Sequence, residues 1–179
     1  MGFQHTIIFN STITPQTVQE VIDEINQYEY VNFYFSTDGG NINEMIILID
    51  FLNYRYNEGT LKLVLYDFVA SAGTFLLFDY EGPIFIQRRY FRGFLFHAPD
   101  ITLRTIRNDV LGKKSKELLD TMNEDIYSKY VEIGLTKADI AKIRNGEDVY
   151  VWYNDLGKIK RTLFESEETR IQIIQKQLN

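Results

Sequence analysis

YVNFYFSTDGGNINEMIILIDFL (residues 30–52) changes character in its middle, and that change decides the fold. Residues 31–36 form a β-branched and aromatic run, which reads as a strand. The run breaks at Asp38-Gly39-Gly40 and gives way to a helix opened by Asn41, with Glu44 placed to reach back to free N–H groups. Met45, Ile46, Leu48, Ile49 and Leu52 spread over most of that helix's girth, which predicts burial on more than one side. LKLVLYDFVASAGTFLLF (residues 61–78) repeats the plan. An aliphatic strand over 61–66, covered on both faces, breaks at Ala70-Ser71-Ala72-Gly73 and becomes a short apolar helix over 74–78. FRGFLFHAPD (residues 91–100) closes the region with a third apolar strand, 93–96, ending at His97.

Outward from this centre the same alternation continues. Residues 5–10 read as a first strand, and Thr14-Pro15 as an N-cap followed by a proline at the first helical position. Ile13 and Val18 stand where a hydrophobic staple would clasp that start. Val18, Val21, Ile22 and Ile25 then recur at helical spacing. Repeated strand–helix–strand units imply an α/β fold with a mostly parallel sheet and right-handed crossovers. A short strand is expected at 84–86, an alternating segment at 148–153, a last strand at 159–164 and a C-terminal helix from Ser166. Thr136 and Asp139 spell a capping box after Gly134, predicting a short helix to about Arg144. Between 103 and 133 lies a long charged helix with a narrow stripe at Leu111, Leu118, Met122, Ile126 and Tyr130. Such a stripe suits a helix that projects and is covered by another subunit, although a surface helix folded onto its own sheet would carry a similar one.

The chain has 179 residues, enough for one domain with one core. Its formal net charge of −6, 19 basic against 25 acidic residues, argues against nucleic acid as a partner. Without cysteine there is neither thiol catalysis nor thiolate-held metal. The longest apolar run, Met45 to Ile49, is far too short for a membrane span, and residues 1–12 lack the pattern of a signal peptide. The expectation is a cytoplasmic protein with no membrane contact.

Ser71 is the first candidate for chemistry. Small neighbours allow a sharp strand-to-helix turn, and a helix start offers unpaired N–H groups and a positive end. A serine alone is more simply an N-cap; it becomes a nucleophile only with a base beside it. His97 ends an apolar strand of the same sheet and is the natural base, its other ring nitrogen needing an acceptor. Asp148 is the best acid by chain position, with Asp100 and Asp155 as alternatives. Gly39-Gly40 leaves backbone N–H groups unobstructed, as an oxyanion hole requires. No phosphate-cradling glycine motif and no metal-ligand spacing is present, so neither cofactor nor metal is expected.

Together these residues resemble the proteolytic subunit of the caseinolytic (Clp) protease, within the Clp protease/crotonase fold group. FYFSTDGG is similar to that family's strand ending in Asn-Ser-Pro-Gly-Gly, VASAGTFLL to its nucleophile segment, and FLFHAP to its Ile-Met-Ile-His-Gln-Pro. The likeness runs over roughly residues 5–160. It implies a single domain (1–179) built as a spiral of βα units, with a core of about 5–99 and 135–164 and a handle helix of about 103–133. It implies a serine endopeptidase with Ser71 as nucleophile, His97 as base and Asp148 as orienting acid. The Gly39 and Ala72 N–H groups would form the oxyanion hole, with Gly40 and Asn41 in the substrate groove. It further implies heptameric rings of identical subunits, stacked in pairs, that take peptide substrates. Asp38 and Phe68 depart from the family's proline and glycine, and DITLRTIRND (100–109) replaces its glycine-rich strand. The chain also starts almost directly at the first strand, where the family has an axial loop and a segment that helps dock an ATP-driven (AAA+) unfoldase. These departures make an unfoldase partner doubtful and motivate one alternative, a ring scaffold with little catalysis. A second is a crotonase-like enzyme acting on acyl-CoA, which shares the paired N–H hole but needs no serine backed by histidine.

Overall fold

Two inner strands, β2 (Val31–Thr37) and β3 (Leu61–Ala70), carry the molecule. Every residue of β2 is buried, its apolar Val31, Phe33, Tyr34 and Phe35 together with the polar Asn32, Ser36 and Thr37, as befits a strand covered on both faces. The computed structural model describes residues 5–99 and 109–166, and of 109–116, 118 and 119 only the backbone. Parallel pairing sets β1 (His5–Asn10) beside β2 and β2 beside β3. On the far side of β3 lie β4 (Ile84–Gln87) and, beyond it, β7 (Leu163–Ser166), both parallel. The second half of β3 turns to a different neighbour, β5 (Gly93–Phe96), which pairs antiparallel with β6 (Val149–Trp152). The result is an α/β architecture around a mixed seven-stranded sheet.

The branch in the sheet has a local cause. Phe35 faces Leu65, but Thr37 faces Val69, so β3 carries two more residues than β2 over that stretch. Asp67 takes a left-handed conformation (φ 56°) inside this bulge, which a short polar side chain tolerates better than most. Its carboxylate pairs with Arg92, and its carbonyl accepts the Arg92 N–H, so the bulge fixes the start of β5. Ser36 Oγ donates to Phe68 O at 3.0 Å, holding the re-aimed half of β3 against β2.

Helices α1 (Pro15–Ile25) and α2 (Ile42–Asn57) start as their sequences require. Thr14 caps α1 in reciprocal bonding with Thr17. Asn41 Oδ1 accepts from the N–H groups of Asn43 (2.9 Å) and Glu44 (3.3 Å), so α2 is capped by Asn41 rather than by the reach of Glu44. Only one side of α2 is buried, through Met45, Leu48, Ile49 and Leu52; Ile46, Ile47 and Tyr54 face solvent, contrary to the expected burial on more than one side. A 3₁₀ turn (Ser71–Phe75) and α3 (Leu76–Asp79) follow β3.

Helix α4 (Asp109–Glu132) departs in part from the projecting element expected at 103–133. From Ile126 onward it belongs to the main core: Ile126, Tyr127, Tyr130 and Ile133 are buried, and Tyr130 meets Phe96 edge-on at 5.1 Å. Two aromatic rings so close to the sheet supply enough apolar surface to draw these turns inward. Among the described residues of 117–125, all are exposed except half-buried Asn123. Helix α5 (Lys137–Arg144) has both halves of its Thr136–Asp139 capping box. The last strand begins later than expected, because Ile159 is buried in the core and Lys160 N–H donates to Ile133 O. Ser166 ends β7; the helix expected beyond it, and the expected helix residues 103–108, lie outside the described residues.

Candidate active site

Ser71 sits where β3 stops and the 3₁₀ turn begins, with φ 55°. A non-glycine residue held there stores roughly 1–2 kcal/mol of backbone strain. Its surroundings admit little else. A Cβ on Gly39 would lie 2.4 Å from Ser71 Cβ and 3.0 Å from Ser71 Oγ, and one on Gly73 would lie 2.4 Å from Thr37 Cγ2. Glycine at 39 and 73 is therefore what lets the end of β2 close against the serine turn. The turn is also anchored from below: Thr74 Oγ1 donates to Ser71 O at 2.7 Å. Tyr130 of α4 lies beside Thr74, and its hydroxyl is pushed up to about 12, chiefly by burial. Helix α4 thus reaches the neighbourhood of the serine turn through Tyr130.

His97 follows the last residue of β5 and stands over Ser71, its Nε2 2.6 Å from Ser71 Oγ. Antiparallel pairing of Phe96 with Val149 makes His97 and Asp148 neighbours just past that register. His97 Nδ1 lies 3.8 Å from Asp148 Oδ1, with both side chains partly open to solvent. Asp155 lies in a 3₁₀ turn (Tyr153–Lys158) and faces Lys158 at 3.7 Å; Asp100 lies outside the described residues. The Ser–His separation is a hydrogen-bond distance; the His–Asp separation exceeds one. Ser71 can therefore pass its proton to Nε2, while Asp148 is near enough to favour the proton on Nδ1 electrostatically.

The turn after β2 has its own bonding. Gly39 N–H donates to Thr37 Oγ1 (3.0 Å), and Thr37 Oγ1 donates to Ser11 O (2.8 Å). Asn41 N–H donates to Ile13 O and Ile13 N–H to Gly39 O. A Cβ on Gly40 would fall 2.3 Å from Ile13 O, so this position packs backbone on backbone. Gly39 thus touches the serine but has its N–H engaged, while the side chain of Asn41 is spent on capping α2. Ala72, the residue after the serine, is buried at the start of the 3₁₀ turn, where an N–H has no partner within its own turn.

Three supports have no obvious signal in the sequence: the bulge at Asp67, the Thr37 hydroxyl, and the Thr74–Tyr130 link. Thr37 stands one residue before Asp38-Gly39-Gly40, and only that position hinted at it. Among the described residues no group of three acidic or histidine side chains converges as a metal site. None of the helices among them is long and apolar enough to cross a membrane. No protein-family model matches the chain, and no curated protein matches it in sequence.

Proposed function

We propose that this chain is a serine hydrolase that cleaves peptide bonds, with Ser71 as nucleophile and His97 as general base. The observation that carries this reading is the 2.6 Å approach of His97 Nε2 to a serine held at φ 55° on a strand-to-helix turn. Ser71 Oγ attacks the carbonyl carbon as Nε2 takes its proton; the same nitrogen then gives that proton to the leaving amine. Water repeats the sequence on the acyl-enzyme. Asp148 steadies the imidazolium from 3.8 Å. The Ala72 N–H at the start of the turn stabilises the developing oxyanion. Gly39 N–H joins it only by sharing its hydrogen with Thr37 Oγ1.

Peptide as substrate, a spiral Clp-like fold, a ring of identical subunits and a cytoplasmic setting come from the likeness to the Clp proteolytic subunit. Exposed apolar side chains at Ile46, Ile47, Tyr54, Met122 and Val131 suit a chain that meets copies of itself. A ring scaffold with weak catalysis is the second reading. It is favoured by the 3.8 Å gap at Asp148 and the engaged Gly39 N–H.

Turnover of a fluorogenic peptide separates the two. Ser71→Ala should lower kcat/KM at least about a thousandfold, and His97→Ala by a similar factor. The double variant should be no slower than either, because nucleophile and base act as one unit. Wild-type turnover in Ser71→Ala would exclude the hydrolase.

A further inference from the structure

The sheet face that carries His97 and Asp148 does not end with them. In the β5–β6 pair, Phe94, Phe96, Val149 and Val151 point into the core and are buried. Alternation puts their neighbours on the opposite face. There Leu95 stands beside Tyr150, and Gly93 beside Trp152. Phe68 of β3 pairs with Gly93 and joins the same face. Tyr150 and Trp152 stack nearly parallel, with centroids 5.1 Å apart and an interplanar angle of 9°. Phe68 leans against both, at 6.1 and 5.9 Å. Tyr150 remains 45% exposed and Trp152 49%. Arg92 lies over Phe68 at 5.7 Å with its charge answered by Asp67, so the patch is apolar and close to neutral. Position 93 must stay bare: a Cβ there would fall 2.3 Å from Val151 O.

We propose that Phe68, Tyr150 and Trp152 form a substrate subsite for an apolar, preferably aromatic, side chain of an extended peptide. This rests on the hydrolase reading and names its substrate class. Strand geometry sets the reach. Tyr150 is two residues from Asp148 and Trp152 four, which is about 7 and about 13 Å along the strand. A side chain two to four residues from the cleaved bond therefore falls on the rings. The size of the patch fits this occupant better than a second subunit. Two rings about half exposed and a third, Phe68, more covered offer roughly 250 Å², against the approximately 800 Å² per partner that a stable interface buries.

Trp152 is the single tryptophan of the chain, so its emission reports on this surface alone. The Ser71→Ala chain, which cannot turn over substrate, is titrated with two hexapeptides that differ only in Trp-free aromatic (Phe) or Ala residues at these positions. The Phe peptide should change Trp152 emission saturably and bind about tenfold or more tightly than the Ala peptide. Adding Phe68→Ala or Tyr150→Ala to the Ser71→Ala chain should erase that preference by weakening the Phe peptide to the affinity of the Ala peptide. Equal binding of the two peptides, or no emission change with either, overturns the subsite. So does an emission that shifts with protein dilution as assemblies dissociate, which would make the patch a subunit contact. Because binding is read without turnover, a wild-type chain that fails to cleave the fluorogenic peptide counts against the hydrolase alone.

Discussion

Ser71 holds an unfavourable backbone conformation so that its hydroxyl can meet His97, and the cost of that placement is measurable. Ser71→Gly and Ser71→Ala both remove the hydroxyl, but only glycine relaxes at φ 55°. Denaturant unfolding should find Ser71→Gly more stable than Ser71→Ala by about 0.5–1 kcal/mol, net of glycine's greater freedom when unfolded. Gly39→Ala should act in the opposite direction. Its methyl would sit 2.4 Å from Ser71 Cβ at a backbone φ of 108°, so a loss of about 2–3 kcal/mol is expected, together with collapse of peptide turnover. Wild-type stability in Gly39→Ala would show that the β2 end does not press on the serine turn. At this scale the sequence was informative where small residues interrupt apolar runs, because sterics leave few reasons for them. Thr37 and Thr74 were not legible, since a threonine announces neither its hydroxyl's partner nor its distance.

The capping codes at the starts of α1 and α5 are legible in the sequence, whereas features set by distant contacts are not. The Thr136–Asp139 box is the former kind, and it makes a pH prediction. Partial burial would raise the Asp139 carboxyl, but hydrogen bonds from the Thr136 hydroxyl and N–H, with Lys142 and Lys158 nearby, lower it overall from its ordinary 3.8. A lowered folded-state value means stability that is present above the unfolded value and lost as pH falls through the folded one. Asp139→Asn should cost about 0.5–1 kcal/mol near neutrality, and the difference from wild type should vanish at strongly acid pH. Equilibrium unfolding of both proteins from neutrality down to below pH 3 checks it; a constant difference would assign Asp139 a role other than the cap. By contrast, the bulge at Asp67 and the late start of β7 answer to distant partners, Arg92 and the Ile133 carbonyl. Neither leaves a trace in spacing. The exposed flank of α2 shows the same limit, because an apolar residue does not state what covers it.

For the molecule as a whole, the α/β class followed from repeated strand–helix units, while the branch that turns β3 from β4 to β5 did not. That branch is what brings Ser71 and His97 together, since the second half of β3 and β5 carry them as neighbouring strands. It also lays the aromatic surface of β6 alongside them. The central claim is that this arrangement activates Ser71, and a fluorophosphonate tests it with the fewest assumptions about substrate. Such a probe reacts rapidly only with a serine whose proton is taken by a base. Intact-mass and peptide mapping of the treated protein should find one adduct per chain, on Ser71, absent in Ser71→Ala and slowed at least about a hundredfold in His97→Ala. An unlabelled Ser71 in folded wild-type protein under excess probe, or labelling unaffected by His97→Ala, would contradict the account.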